Sequence, residues 1–247
     1  MDSAEYTKLE KIDRLHWFYR GKRAIVRYWI DRYVSLQPDD LLIDAGMGTG
    51  SWLVEMSPVC RTIGLDDHEE SIALAGPRLR AVGGAVLLTG LHEVNLPDCC
   101  ATVVTMMDVL EHLDDEESAL REMIRLTKPG GLLVITVPAL RWLWSEWDVA
   151  VHHRRRYQRP DLLRTVRQPG VELLRCAYIN FAALLPIALV RRWQKIFRTA
   201  DGGARAEDKV PNKFINEALY HSFVAPACWD WFNPPAGVSL LAVLRRT

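Results

Sequence analysis

Leu41-Leu42-Ile43-Asp44-Ala45-Gly46-Met47-Gly48-Thr49-Gly50 is the stretch that decides the fold. An apolar run ends in an acid, three glycines follow at alternate positions, and Ser51-Trp52-Leu53-Val54-Glu55 can open a helix. This is the pattern of a buried strand turning tightly into a helix, where open α/β sheets bind nucleotides. Glycine lets such a turn take positive φ and come close to a ligand. A dinucleotide fingerprint would place its third glycine at position 51, and Ser51 stands there. A glycine turn without a ligand is the plain alternative. The next apolar run, Arg61-Thr62-Ile63-Gly64-Leu65-Asp66, argues against it. Asp66 lies about 20 residues beyond Gly46, the spacing at which an acid holds ribose hydroxyls, with Asp67 beside it. Asp66 can also cap the helix starting near Glu69.

Composition sets looser bounds. The 247 residues suffice for one large α/β domain, and 49% of them are hydrophobic. Lys+Arg and Asp+Glu number 31 each, so no net charge draws the chain to nucleic acid. The five cysteines lack metal-ligand spacing and read as buried thiols in a reducing, cytoplasmic setting. No metal site is expected. The polar start Met1-Asp2-Ser3-Ala4-Glu5 is unlike a signal peptide, and no apolar run reaches the ~18 residues of a membrane span.

Strand-like runs fall at 41–45, 61–66, 85–89, 101–107 and 131–137, with later candidates at 171–178 and 237–244. Helical segments are expected over 8–35, 51–57, 69–81 and 115–127, the last beginning at Asp114 and stopping at Lys128-Pro129-Gly130-Gly131. Continuous apolar strands between helices imply a parallel sheet covered on both faces. Asp201-Gly202-Gly203-Ala204 reads as a loop. The apolar run from Ala177 to Val190 is too short to span a bilayer. It is read as a helix packed within the protein, with the lining of an acceptor cavity, a membrane surface or a dimer interface as the other readings.

The acidic strand end with G-x-G-x-G resembles motif I of the class I S-adenosylmethionine-dependent methyltransferases. Residues 101–113 are similar to the family's fourth strand and following loop, and Lys128-Pro129-Gly130-Gly131-Leu132 to the turn before its fifth. His16-Trp17-Phe18, Leu143-Trp144-Ser145 and His153-Arg154-Arg155-Arg156-Tyr157 resemble segments of a bacterial branch associated with glycan, lipid or secondary-metabolite pathways. The resemblance implies a Rossmann-like, seven-stranded, mostly parallel sheet with an antiparallel last strand. It also implies helices on both faces and a partly helical cap. The expected division is a single domain, with a core of about 36–138, 171–178 and 237–246. The cap is drawn from 1–35, 140–160 and 178–230.

The cofactor implied is S-adenosylmethionine, leaving as S-adenosylhomocysteine. Asp44, Ala45, Gly46, Gly48, Gly50, Asp66, Asp67, Leu91 and Asp108 are its candidate contacts. Leu91 stands where family members often place an acid toward adenine, which leaves backbone groups or Glu93 for that contact. Methyl transfer requires in-line alignment of the acceptor and removal of its proton where it carries one. Histidine is the natural base near neutral pH. His112 and His153 are the candidate bases, and a capping or core-edge role suits His112 equally. Glu111 reads as a base or a helix cap. Arg154, Arg155 and Arg156 can grip an anion, Tyr157 can donate to it, and a solvated basic loop is the other reading. Trp142, Trp144 and Trp147 wall a pocket or pack the cap. Trp17 and Tyr19 are candidate acceptor contacts in a lid, with Arg20 or Arg23 facing a carboxylate.

These residues describe a methyltransferase acting on a small or lipid-linked, anionic and partly apolar acceptor. The alternatives are a lapsed S-adenosylmethionine-binding partner protein and, third, an NAD-linked oxidoreductase. The partners expected are the acceptor and no nucleic acid, with peripheral membrane contact and a homodimer left open.

Overall fold

In the computed structural model, residues 10, 12–189 and 210–247 are described. The order is α1 (Trp17–Tyr33), β1 (Leu41–Ala45), α2 (Ser51–Met56), β2 (Arg61–Asp66), α3 (Glu69–Ala81), β3 (Ala85–Leu88) and β4 (Ala101–Met107). Then come α4 (Glu116–Leu126), β5 (Thr127–Pro138), α5 (Glu146–Ala150), α6 (Arg159–Val166), β6 (Val171–Ile179), α7 (Lys213–Ala227) and β7 (Ser239–Arg246). The seven strands form one sheet in the order β3-β2-β1-β4-β5-β7-β6. Only β7 runs antiparallel, pairing β5 on one side and β6 on the other.

Alternation along the strands divides the core into two layers. Ile43, Val104, Leu133 and Ile135 face one side, against Leu120 and Met123 of α4 and Leu162 of α6. Leu42, Val103, Leu132 and Val134 face the other, against α1, α2, α3 and Phe223 of α7. Helices on both faces explain why the parallel strands read as continuous apolar runs. The helices α1 and α7 lie close because Gly21 has no side chain, and a Cβ there would meet the Phe223 ring at 2.6 Å.

Four expectations change in detail. The long first helix is broken: the Leu15 and His16 N–H groups turn back to the Ile12 carbonyl, and His16 Nδ1 accepts from Phe18 N–H at 3.3 Å, capping α1. Positions 8, 9 and 11 of that expectation lie outside the described residues. Helix α4 is capped by Asp115, one residue past the expected start, through Ser118 N–H at 2.9 Å. Lys128-Pro129-Gly130-Gly131 does not stand before β5 but inside its irregular beginning. There the register shifts against β4, and Gly130 has φ 78°.

The 177–190 segment is not one buried helix. Ala177, Tyr178 and Ile179 finish β6, Asn180 turns at φ 59°, and 184–189 is a short helical turn. Its Leu185 and Leu189 are 68% and 59% exposed, whereas Leu184, Ile187 and Ala188 pack against the core, so the turn is buried on one side only. Val190 and the expected loop at Asp201–Ala204 lie outside the described residues.

The segment leaving β5 is tied at both ends. Tyr157 N–H donates to the Pro138 carbonyl and Leu140 N–H to the Tyr157 carbonyl, each at 2.9 Å, with a parallel bridge between Ala139 and Tyr157.

Candidate active site

Strand β1 is flanked by β2 on one side and β4 on the other, so the chain reverses its direction of progress across the sheet there. Ligands of open α/β sheets bind at the carboxyl ends of strands at such a point. A cavity of about 770 Å³ opens there. Asp44, Gly46, Gly48, Asp66, Asp67, Leu91 and Asp108 line it. Gly48 has φ 52°, and a Cβ added to it would meet nothing within 4 Å, so its backbone lies open to a ligand.

Two expected contacts are corrected. Ala45 is wholly buried, and neither it nor Gly50 lines the cavity. Gly50 takes φ 70° at the start of α2, where a Cβ would sit 2.8 Å from that of Ala75 on α3. Its absent side chain serves helix packing. Gly50→Ala should therefore cost about 1–2 kcal/mol from the left-handed backbone alone. Urea unfolding measures this, and a loss under ~0.5 kcal/mol would contradict it.

Asp66 is buried at the end of β2. Its Oδ2 accepts from Gly48 N–H at 3.0 Å and from the Ser71 hydroxyl at 2.8 Å, and Oδ1 accepts from His68 N–H at 3.1 Å. The carboxylate thus braces the glycine loop across to α3. His68, not Asp66, stands at the N-cap of α3. Asp67 is exposed and pairs with His68 Nδ1 at 2.6 Å. Leu91 is buried at the wall beside Gly90 and His92. Glu93 is exposed and off the cavity, so it offers no replacement acid there.

Asp44 accepts from the Thr105 hydroxyl at 2.6 Å. Burial pushes its carboxyl up to about 8; that hydrogen bond opposes the shift, and the Asp66 and Asp13 charges add to it. The folded chain therefore holds a proton on Asp44 that the unfolded chain releases near 4. Between those values stability falls as pH rises. Asp44→Asn should flatten that fall, gaining more in thermal midpoint at pH 8 than at pH 5. An equal change at both pH values would contradict it.

Asp108 follows β4 with φ 57°. Its Oδ1 accepts from Thr136 at 3.2 Å, and Lys22 Nζ pairs with Oδ2. Lys22 is buried on α1 with its ammonium 4.4 Å from the Phe18 ring centroid. It was not legible in the sequence, because its partner lies 86 positions away. Trp17 and Tyr19 line the cavity, and the Trp17 ring also meets Phe223 edge-on. Arg20 pairs with Glu217 at 2.6 Å, and Arg23 with Asp13 at 2.7 Å and Glu55 at 2.9 Å. The carboxylates they face belong to the protein.

At the other end of the cavity His112 and His153 meet edge to face, with ring centroids 4.9 Å apart. Burial, then the neighbouring His153, lowers His112 to about 4. His153 Nδ1 lies 2.9 Å from Asp148 Oδ1, and Arg156 Nε donates to the same oxygen at 2.7 Å. Burial opposes ionisation of Asp148, but these two bonds outweigh it and hold the carboxyl below its usual range. Asp148 also closes a capping box with Ser145 at the start of α5. The spacing Ser145-Glu146-Trp147-Asp148 was the signal that could have found it.

The basic run divides: Arg154 and Arg156 line the cavity and Arg155 does not, and each has an acidic partner within the chain. Arg154 pairs with Asp114. Arg155 donates to Glu116 at 2.9 Å and to the Leu113 carbonyl at 2.8 Å, away from the cavity. Arg156 is buried on Asp148 and the Ala139 carbonyl. Tyr157 is 2% exposed, does not line the cavity, and gives its hydroxyl proton to Glu116. It is a packing residue and reaches no acceptor. Of the three tryptophans Trp147 lines the cavity, whereas Trp142 is exposed and off it.

Comparison with known proteins agrees with this geometry. Residues 43–135 match the model of a methyltransferase domain. A Mycobacterium tuberculosis (strain H37Rv) protein named "Probable S-adenosylmethionine-dependent methyltransferase" is 32% identical over 121 residues, 46% of this chain and 44% of the relative. The chain thus spans less than half the length of that relative. The demethylmenaquinone methyltransferase of Geobacillus stearothermophilus is 25% identical over 146 residues, 53% of this chain and 57% of the relative. Among solved structures, a chain of the complex of the Haloferax volcanii Trm112 methyltransferase activator with a methyltransferase has TM-score 0.63 at 18% identity. It covers 99% of this chain and 95% of its own. Geranyl diphosphate C-methyltransferase from Streptomyces coelicolor A3(2) has TM-score 0.61 at 16% identity, covering 90% and 78%. Fold and site together define a Rossmann-like methyltransferase domain. Residues 43–135 carry a methyltransferase domain, similar there to class I S-adenosylmethionine-dependent methyltransferases.

Proposed function

We propose that this chain transfers a methyl group from S-adenosylmethionine to a small acceptor, acting as one domain whose cap segments close over the sheet edge. One observation carries the reading. A single cavity joins the open glycine loop, Asp44 and Asp66 at one end to His112, His153 and Trp147 at the other. The residues fit the donor. Gly48 leaves room for close backbone approach, Asp66 offers a buried carboxylate, and Asp44 is a buried carboxyl that a nearby cation would ionise. When bound, the donor supplies an activated methyl on a sulfonium. The chain's own share is to hold the two partners in line, exclude water and deal with the acceptor's proton.

On this reading Asp66 holds the ribose, Gly46 and Gly48 give backbone room, and Leu91 packs on the base. Trp17, Tyr19, Trp147, Val151 and Ile187 make the acceptor wall largely apolar. The acceptor is therefore partly apolar, a small molecule or a lipid-linked one. For an anionic end of the acceptor, Arg154 is the available cation: it lines the cavity and its pair with Asp114 is solvent-exposed, whereas Arg155 is off the cavity and Arg156 is buried on Asp148. Among the described residues no helix is long and apolar enough to cross a membrane.

Calorimetry with S-adenosylhomocysteine and with NAD tests the reading. Saturable binding of the first and none of the second is expected, and the reverse result would overturn it. Metabolite profiles of a producing strain against a deletion strain would then supply the acceptor for turnover assays.

A further inference from the structure

Glu111 is wholly buried beside the cavity, and neither of its carboxyl oxygens has a hydrogen-bond partner among the described residues. Such a group is costly to leave unpaired, and its presence calls for a reason. The 3-10 turn Leu110–His112 fixes its place. Across from Oε1, at 3.7 Å, lies His153 Nε2, too far for a hydrogen bond. The other nitrogen of that ring, Nδ1, is held by the Asp148 carboxylate, which makes it the proton bearer. Nε2 is therefore the ring nitrogen left facing Glu111. A carboxyl oxygen and an imidazole nitrogen face one another across a gap, and the His112 ring lies edge-on to that of His153.

One ligand atom each from Glu111, His112 and His153 lies within 4.8 Å of the others. A histidine whose far nitrogen is held by a carboxylate is the arrangement that orients imidazoles toward metals. We propose that Glu111, His112 and His153 bind one divalent cation of the first transition row, leaving an open position for an oxygen of the acceptor. Two nitrogens and one carboxylate suit zinc, manganese, iron(II) or cobalt, whereas magnesium and calcium prefer all-oxygen sets. Both histidines line the methyl-transfer cavity, so the cation would orient and polarise the acceptor there. Only that last role rests on the proposed function. The cation site itself stands on the three side chains.

The test is titration of the chelator-stripped full chain with cobalt(II) chloride, read by visible d–d absorption and by calorimetry. S-adenosylhomocysteine binding is measured on the same samples. One saturable cobalt per chain is expected, with affinity at least about tenfold weaker in His153→Ala, Glu111→Gln and His112→Ala. His112 is only partly buried, so its variant carries the test if the other two do not fold. No saturable cobalt binding in a chain that binds S-adenosylhomocysteine would overturn the metal site and leave the methyltransferase reading intact. Unchanged cobalt affinity in all folded variants would overturn it as well, as adventitious binding elsewhere. Saturable, variant-sensitive cobalt binding without any S-adenosylhomocysteine binding would support the site and overturn the methyl-donor reading.

Discussion

Asp148→Ala is expected to destabilise the chain by about 3–5 kcal/mol, the scale for removing one partner of a buried ion pair. Asp148 is fully buried, and the Arg156 guanidinium on it is 5% exposed. Truncation would strand that guanidinium in the protein and release both His153 Nδ1 and the Ser145 N–H, which donates to Asp148 at 2.9 Å. Urea unfolding with an unchanged slope is the measurement. The double variant Asp148→Ala/Arg156→Met should recover much of the loss, because the cost lies in the unpaired charge more than in the missing bond. Arg154→Ala, which removes an exposed partner of Asp114, should cost under ~1 kcal/mol. A loss below ~1 kcal/mol in Asp148→Ala would show that water reaches Arg156 and that the buried pair does not organise this loop.

The second large effect is on donor affinity. Asp66→Ala should weaken S-adenosylhomocysteine binding by at least ~1.5 kcal/mol, about tenfold, on the scale of a hydrogen bond to a charged group. Two routes add here. The proposed ribose contact would go, and Gly48 N–H and the Ser71 hydroxyl would lose the oxygen that braces the glycine loop. Ser71→Ala separates them, since it removes part of the brace and leaves the ribose carboxylate in place. Calorimetry on folded variants decides. Unchanged affinity in Asp66→Ala would remove the ribose assignment.

The sheet was legible because its central strands are buried on both faces, so Leu41–Ala45 and Ala101–Met107 read as mostly apolar runs, with ends marked by Asp44, Asp66 and Asp108. The donor end was legible for a related reason: a tight strand-to-helix turn needs glycine at fixed spacing. The acceptor end was not. Arg154, Arg155 and Arg156 look alike in sequence, but their acids come from the loop before α4, from α4 itself and from α5. Nothing local tells that Arg154 and Arg156 reach the cavity wall while Arg155 turns to Glu116. The same holds for Tyr157, whose hydroxyl partner is 41 positions away. Apolar content misled in 177–189 because a strand end and a helical turn adjoin there, and the boundary lies at Asn180, whose positive φ the sequence signalled only weakly.

The clasp between Pro138, Leu140 and Tyr157 makes the stretch it encloses an interchangeable cassette. Its two stubs are already stitched side by side at the end of the central sheet, so the entropy of closing the loop is settled by those bonds whatever sequence runs between them. Within it stand Trp147, Asp148, Val151 and His153, whereas the glycine loop and Asp66 belong to the sheet beneath. A relative's segment grafted between the same stubs should carry its own taste in acceptor with it, while the grip on the methyl donor stays with the chassis.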